Sequence, residues 1–416
     1  VFANMARQLS ISALSRKVLL LIAIPLLLSF VMTTITPDLL AALILLIYFM
    51  CIFQTKYPNN KFNGVLCGFW GGIAYLSKSY NLPFFICHFT LMNFLYLFKY
   101  PSKEERVKVI TNFFCGFMVF SIICSIWIIT ISRKYHKITY STAGSYNIAL
   151  IGPNAISPFS QGLIAPFNST FLCAGEDPSY ITIQQWSPFE SSDAFKYYIG
   201  YVIKNILKTC EIYGHLSFLC LPILMAGFLI FMQNWRKTIS QFQILYPFIT
   251  IFLFVGGYCL VCVEERYLWV AFILVLILGC YILDKLFQNS FFTTARKVLL
   301  YIFFIISFTY TPIILELPRL INIDKDYYIM SQNLKARIHP GDKIASNNYW
   351  NKSLYLAYYL KTPYYGIPNC GIPKNNIDEQ ALSNDLIKYD ISYYLVWKNG
   401  KLATIRVIKE KDNLSK

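Results

Sequence analysis

The chain has 416 residues, of which 56% are hydrophobic, 17% aromatic and 14% charged. That is too apolar for one soluble core and too long for one small domain, which excludes a single soluble domain. The formal net charge of +16 resides largely in short loops between apolar runs, with no basic stripe or reader motif, so it speaks for membrane topology and against nucleic acid as a partner.

The sequence opens on Val1, and its first fourteen residues lack the form of a signal peptide, so the chain reads as part of a longer protein. A window of roughly 19 residues predicts about nine spans, near 18–35, 38–54, 63–79, 82–99, 108–131, 215–233, 242–261, 268–287 and 298–316. If these alternate, Arg7, Arg16, Lys17, Lys56, Lys61, Lys99, Lys103, Arg106, Arg236, Lys237, Lys285, Arg296 and Lys297 share one side. That side is cytoplasmic by the positive-inside rule. The turns at Asp38, at Lys78 and at Glu264-Glu265-Arg266 then face the exoplasm, together with a long loop and the C-terminus.

The spans 63–79 and 82–99 form a tight hairpin, either fully spanning or shallow and re-entrant, whose first arm carries Gly64, Gly68, Gly71 and Gly72, small residues that let helices approach closely. Between about 133 and 214 the predicted exoplasmic loop is punctuated by Gly144, Gly152, Pro153, Pro158 and Pro166. Its second half starts a helix at Ser191-Ser192-Asp193, with Phe195, Ile199, Val202, Ile203 and Ile206 at helical spacing and lysines on another face. This pattern predicts an interfacial amphipathic helix, with Trp186 at the same level. Residues 317–416 turn polar: helical patterns near 326–338, 350–360 and 378–388 alternate with β-type runs at 343–346 and 391–397. Asn399-Gly400 joins Ser392–Trp397 to Leu402–Val407 as a hairpin. The expected fold is thus an α-helical polytopic membrane protein, residues 1–316, with a small C-terminal α/β exoplasmic domain, residues 317–416.

Asp38 is the only acidic residue in the first hundred positions. An ionisable group at a membrane helix end is a candidate functional residue. The simpler reading is local: Thr36 caps the helix, Pro37 opens it and Asp38 complements its dipole. Lys78 either snorkels to the interface or binds an anion. Arg266 either anchors the interface against its own glutamates or holds phosphate oxygens bidentately. His88, inside an apolar run, reads as a packed polar residue. No histidine stands in a zinc spacing, Cys259 and Cys262 lack a second pair, and most cysteines lie in apolar runs where they act as small hydrophobes. No GxSxG and no GxxxxGK[ST] occurs. Asn168-Ser169-Thr170 and Asn351-Lys352-Ser353 fit the glycosylation sequon.

The stretch Gly64 to Pro83, with Gly71-Gly72-Ile73-Ala74-Tyr75-Leu76-Ser77-Lys78, resembles the hairpin of GT-C glycosyltransferases, the polytopic superfamily of protein O-mannosyltransferase-like and aminoarabinose-transferase-like enzymes. Thr36-Pro37-Asp38 resembles their second exoplasmic acid, and Glu265-Arg266-Tyr267 their motif before a late span. Pro340-Gly341-Asp342 with Tyr358-Tyr359-Leu360 and Tyr364-Tyr365-Gly366 is similar to the soluble domain that closes many bacterial members. The resemblance implies transfer of a sugar from a polyprenyl-phosphate donor to an acceptor lipid, glycan or protein on the exoplasmic side of a bacterial plasma membrane. It implies Asp38 as the supporting acid, Lys78 and Arg266 on the phosphate, and Glu265 and Tyr267 shaping that pocket. A divalent cation at Asp38 is left open, and the family's principal acid is expected upstream of Val1. Two other readings stand beside it: a transporter or flippase of lipid-linked saccharides, and a noncatalytic partner in cell-envelope assembly. The first lacks the internal repeat that alternating access usually leaves.

Overall fold

The computed structural model describes residues 1–34, 36–54, 57–60, 62–100, 102–153, 162–168, 170–176, 186–233, 242–320, 325–368 and 379–408. The expected features at Lys56, Lys61, Pro158, Ser169, Arg236 and Lys237 lie outside the described residues. The chain divides into two compact units: Val1–Ser141 with Phe195–Ile321, and Thr142–Ala194 with Asn322–Lys416.

The first unit is helical. It opens with α1 (Phe2–Gln8), α2 (Ala13–Thr33), α3 (Asp38–Ile52), α4 (Phe62–Ser77), α5 (Asn81–Lys99) and α6 (Lys103–Lys134). A further helix, α7 (Ala143–Leu150), belongs to the second unit. The first unit resumes with α8 (Ser192–Leu216), α9 (Cys220–Gln233), α10 (Phe242–Cys259), α11 (Trp269–Leu286) and α12 (Thr294–Tyr310), the last running into a π-turn at Thr311–Glu316. Among the described residues five helices are long and apolar enough to cross a membrane, six when the bent pair α8–α9 counts as one span. This is a helical membrane protein. The predicted spans 38–54 and 242–261 form shorter apolar helices.

Helix α11 is the centre of the unit. Every residue from Trp269 to Tyr281 is buried, as expected of a helix apolar on all sides, and it packs against α2, α3, α9 and α10. By contrast α6 is peripheral. It starts at a side-chain N-cap, with Ser102 Oγ accepting from the Glu105 N–H and donating to its carboxylate. It then presents Phe114, Met118, Ile122 and Ile126 outward, a face that suits hydrocarbon rather than water. Helices gain little from apolar burial when the alternative is lipid, so close approach decides their pairing. The glycine arm provides it: a Cβ at Gly64 would strike the Asn112 backbone, and one at Gly68 the Gly116 backbone, so α4 lies directly on α6. Gly71 makes room for the Phe85 ring and Gly72 for Ile123.

The start of α2 is clamped to the end of α11. The Asp284 carboxylate accepts from the Ser12 N–H at 2.6 Å, Ser12 Oγ at 2.8 Å and Ser15 Oγ at 2.6 Å, while Ser15 Oγ meets the Tyr301 hydroxyl at 2.7 Å. Arg16, Lys17 and Lys285 are the adjacent cations in sequence. Buried His88 is a packing residue, as its surroundings predict: Nδ1 meets Tyr48 Oη at 2.8 Å and Nε2 meets Thr250 Oγ1 at 2.8 Å.

The second unit is α/β. Strands β2 (Ile344–Ser346), β4 (Tyr393–Lys398) and β5 (Lys401–Val407) form a sheet in the order β2-β4-β5, parallel then antiparallel. The hairpin turns at Asn399 and Gly400, both at positive φ, as the Asn-Gly pair predicts. Ile344, Leu395 and Trp397 face a core shared with Leu356, Ala357 and Leu360 of the helix Trp350–Leu360. Alternate residues Ala345 and Tyr394 face the helix Glu379–Lys388 through Leu382 and Leu386. Part of the loop predicted to belong to the membrane portion is built into this unit. β1 (Gly162–Leu163) pairs antiparallel with β3 (Gly366–Ile367), and the Tyr364 N–H donates to Leu172 O. Trp186, expected at the membrane interface, donates to Ile148 O at 2.5 Å within this unit. Burial pushes the Cys173 thiol up, so it stays a neutral core group. Among the described residues every cysteine is free.

Candidate functional site

Three turns meet at the end of the helical unit away from the Asp284 clamp. The first is the start of α3, where Pro37 takes the cap position and Asp38 the first helical one. The cap predicted for Thr36 is not made: among the described residues no side chain caps α3, and Thr36 Oγ1 finds no hydrogen-bond partner. Asp38 is nevertheless buried, so its charge is matched by something remote. The second turn is the hairpin tip Lys78-Ser79-Tyr80 between α4 and α5. The third is the 3-10 turn Glu265–Leu268 that leads into α11.

Lys78 Nζ donates to Asp38 Oδ1, and Arg266 Nε lies 3.9 Å from Asp38 Oδ2. A single carboxylate thus collects the lysine of one turn and the arginine of another. Lys78 also sits on the Tyr267 ring, 3.7 Å from its centroid, with the Tyr258 ring at 5.3 Å. Tyr258 stacks on Tyr267 at 4.9 Å and on Tyr80 at 3.7 Å, and Tyr80 Oη donates to Phe254 O at 2.6 Å. This column ties the hairpin tip to the end of α10 and gives the ammonium an aromatic wall. Asp38, Lys78, Arg266, Tyr258 and Tyr267 line a small open cleft, with Asn81 and Phe254 beside them.

The two glutamates of the third turn part ways. Glu264, in extended backbone just before the turn, accepts from Arg266 Nε at 2.7 Å. Glu265 begins the 3-10 helix and does not line the cleft; its electrostatic neighbours are Glu316 and His215. Of the residues expected at the site, Asp38, Lys78, Arg266 and Tyr267 come together and Glu265 does not. Glu264, Tyr258 and Tyr80 are additions. The Glu264-Glu265-Arg266 run announces a charged turn, but which glutamate reaches the arginine depends on the backbone. Tyr258 and Tyr80 carry no sequence signal beyond aromatic residues at span ends.

Chemically, the site offers two cations with spare donors on an aromatic wall, suited to phosphoryl oxygens. Buried at the start of α3 between the two cations, Asp38 is placed to orient Lys78 and Arg266. Among the described residues no three His, Cys, Asp or Glu side chains gather to hold a metal ion. No protein-family model matches this chain, and no curated protein matches it in sequence.

Proposed function

We propose that the chain is a membrane glycosyltransferase of GT-C architecture that takes a sugar from a polyprenyl-phosphate-linked donor and transfers it to an acceptor lipid, glycan or protein. The observation that carries this reading is the convergence of Lys78 and Arg266 on Asp38 beside Tyr267. In the transfer, an acceptor hydroxyl oxygen bonds to the anomeric carbon as the bond from that carbon to the phosphate oxygen breaks. The electron pair leaves with the lipid phosphate, where Lys78 and Arg266 stabilise it. The hydroxyl proton is released to solvent water. In this reading about nine spans place the hairpin tip, the Asp38 turn and the Arg266 turn on the exoplasmic face of a bacterial plasma membrane. The Asp284 end, with Arg16, Lys17 and Lys285, is then cytoplasmic, following the positive-inside rule.

The test is binding of polyprenyl phosphate to the chain in lipid nanodiscs. Lys78→Ala and Arg266→Ala each weaken it by about tenfold, the effect of losing a charge-assisted contact worth roughly 1.5 kcal/mol. Affinity unchanged by both substitutions would refute the reading. Translocation of a lipid-linked saccharide with its glycosidic bond intact would favour a transporter instead.

A further inference from the structure

The ion pairs at the cleft join two cations, Lys78 and Arg266, to two carboxylates, Asp38 and Glu264. Their formal charges cancel. An anionic phosphoryl group entering this cluster makes it net negative unless a carboxylate gives way, because desolvated like charges repel strongly. The two carboxylates differ in their freedom to do so. The Asp38 side chain is 6% exposed and fixed at the first position of α3, whereas the Glu264 side chain is 43% exposed and stands in extended backbone ahead of the 3-10 turn.

We infer that Glu264 is an internal stand-in for the phosphoryl ligand: it occupies the Arg266 Nε edge in the empty site and swings toward solvent when a phosphate ester takes its place. Asp38 stays put and keeps Lys78 on the Tyr267 face. The exchange swaps one anion for another at the guanidinium, so the incoming group gains little from charge alone. Selection then falls on what else it carries, since a free phosphate lacks the apolar chain that a lipid phosphate buries in the membrane. Glu264 thereby raises the affinity that any incoming phosphate must supply, and a lipid phosphate meets that threshold through its apolar chain. This inference rests on the phosphate-binding reading of the cleft.

The experiment titrates the full chain in nanodiscs with polyprenyl phosphate and, separately, with inorganic phosphate, comparing wild type, Glu264→Gln, Glu264→Ala and Arg266→Ala. Removing the stand-in tightens polyprenyl phosphate about two- to fivefold, the range set by a half-exposed ion pair. It tightens inorganic phosphate by the same factor, because both ligands displace the same carboxylate. Both Glu264 variants behave alike, and because the side chain is half exposed both fold as wild type does. If Glu264 variants bind no tighter while Arg266→Ala binds weaker, the stand-in role is overturned and the phosphate site survives. If Arg266→Ala and the Lys78→Ala of the binding test above both leave affinity unchanged, the phosphate reading falls and takes the stand-in with it.

Discussion

Lys78 donates to Asp38 and at the same time rests on the Tyr267 ring, its Nζ 3.7 Å from the centroid. The ring face is thus part of how the ammonium is held. Tyr267→Leu removes the face and lowers affinity for a lipid phosphate by about 0.5–2 kcal/mol. Tyr267→Phe keeps the ring and loses only the 3.4 Å contact from Arg266 Nη2 to the hydroxyl, so its affinity stays near wild type. Equal losses in both variants would show that the hydroxyl, not the face, matters.

Breaking the Asp38–Lys78 pair costs fold stability as well as function. Asp38→Asn leaves an ammonium in a site with little water and destabilises by about 3 kcal/mol. Combining it with Lys78→Met removes the orphaned charge and recovers most of that loss. Thermal unfolding of the four proteins in one detergent reads the cycle. Additive losses in the double variant would mean the two residues do not depend on each other.

The approach of α4 to α6 is set by glycine. Gly68→Ala drives a methyl into the Gly116 backbone and lowers stability by about 1–3 kcal/mol. Gly200→Ala, on α8 with nothing near its added carbon, stabilises by about 0.5–1 kcal/mol. Opposite signs in the melting temperature are the expected result; equal signs would point to a propensity effect rather than packing.

The chain from Tyr48 through His88 to Thr250 has a fixed direction. Thr250 Oγ1 donates to Tyr246 O at 2.6 Å, so it accepts from His88 Nε2–H, and Nδ1 accepts from Tyr48. Thr250→Val strands a buried N–H and costs about 1–3 kcal/mol. The same unfolding assay checks it: a loss below a few tenths of a kcal/mol would mean the donor finds another partner.

Local chemistry made much of this protein legible from its sequence. Apolar runs marked the helices because backbone groups in a bilayer must bond within their own segment. Ser79-Tyr80-Asn81 left room only for a hairpin, and Asn399-Gly400 for a tight β-turn, since both depend on neighbours in the chain. The lone acid Asp38 stood out because charge is rare among apolar runs. The tertiary structure alone decided what these groups meet. It took Asp38 from a local cap to the partner of Lys78 and Arg266, and gave Arg266 to Glu264 rather than Glu265. It also joined residues 162–163 to 366–367 across the membrane portion of the sequence. Helical period and turn type are fixed within a few residues of chain, whereas an ion pair or a strand pairing between distant segments depends on how whole helices pack.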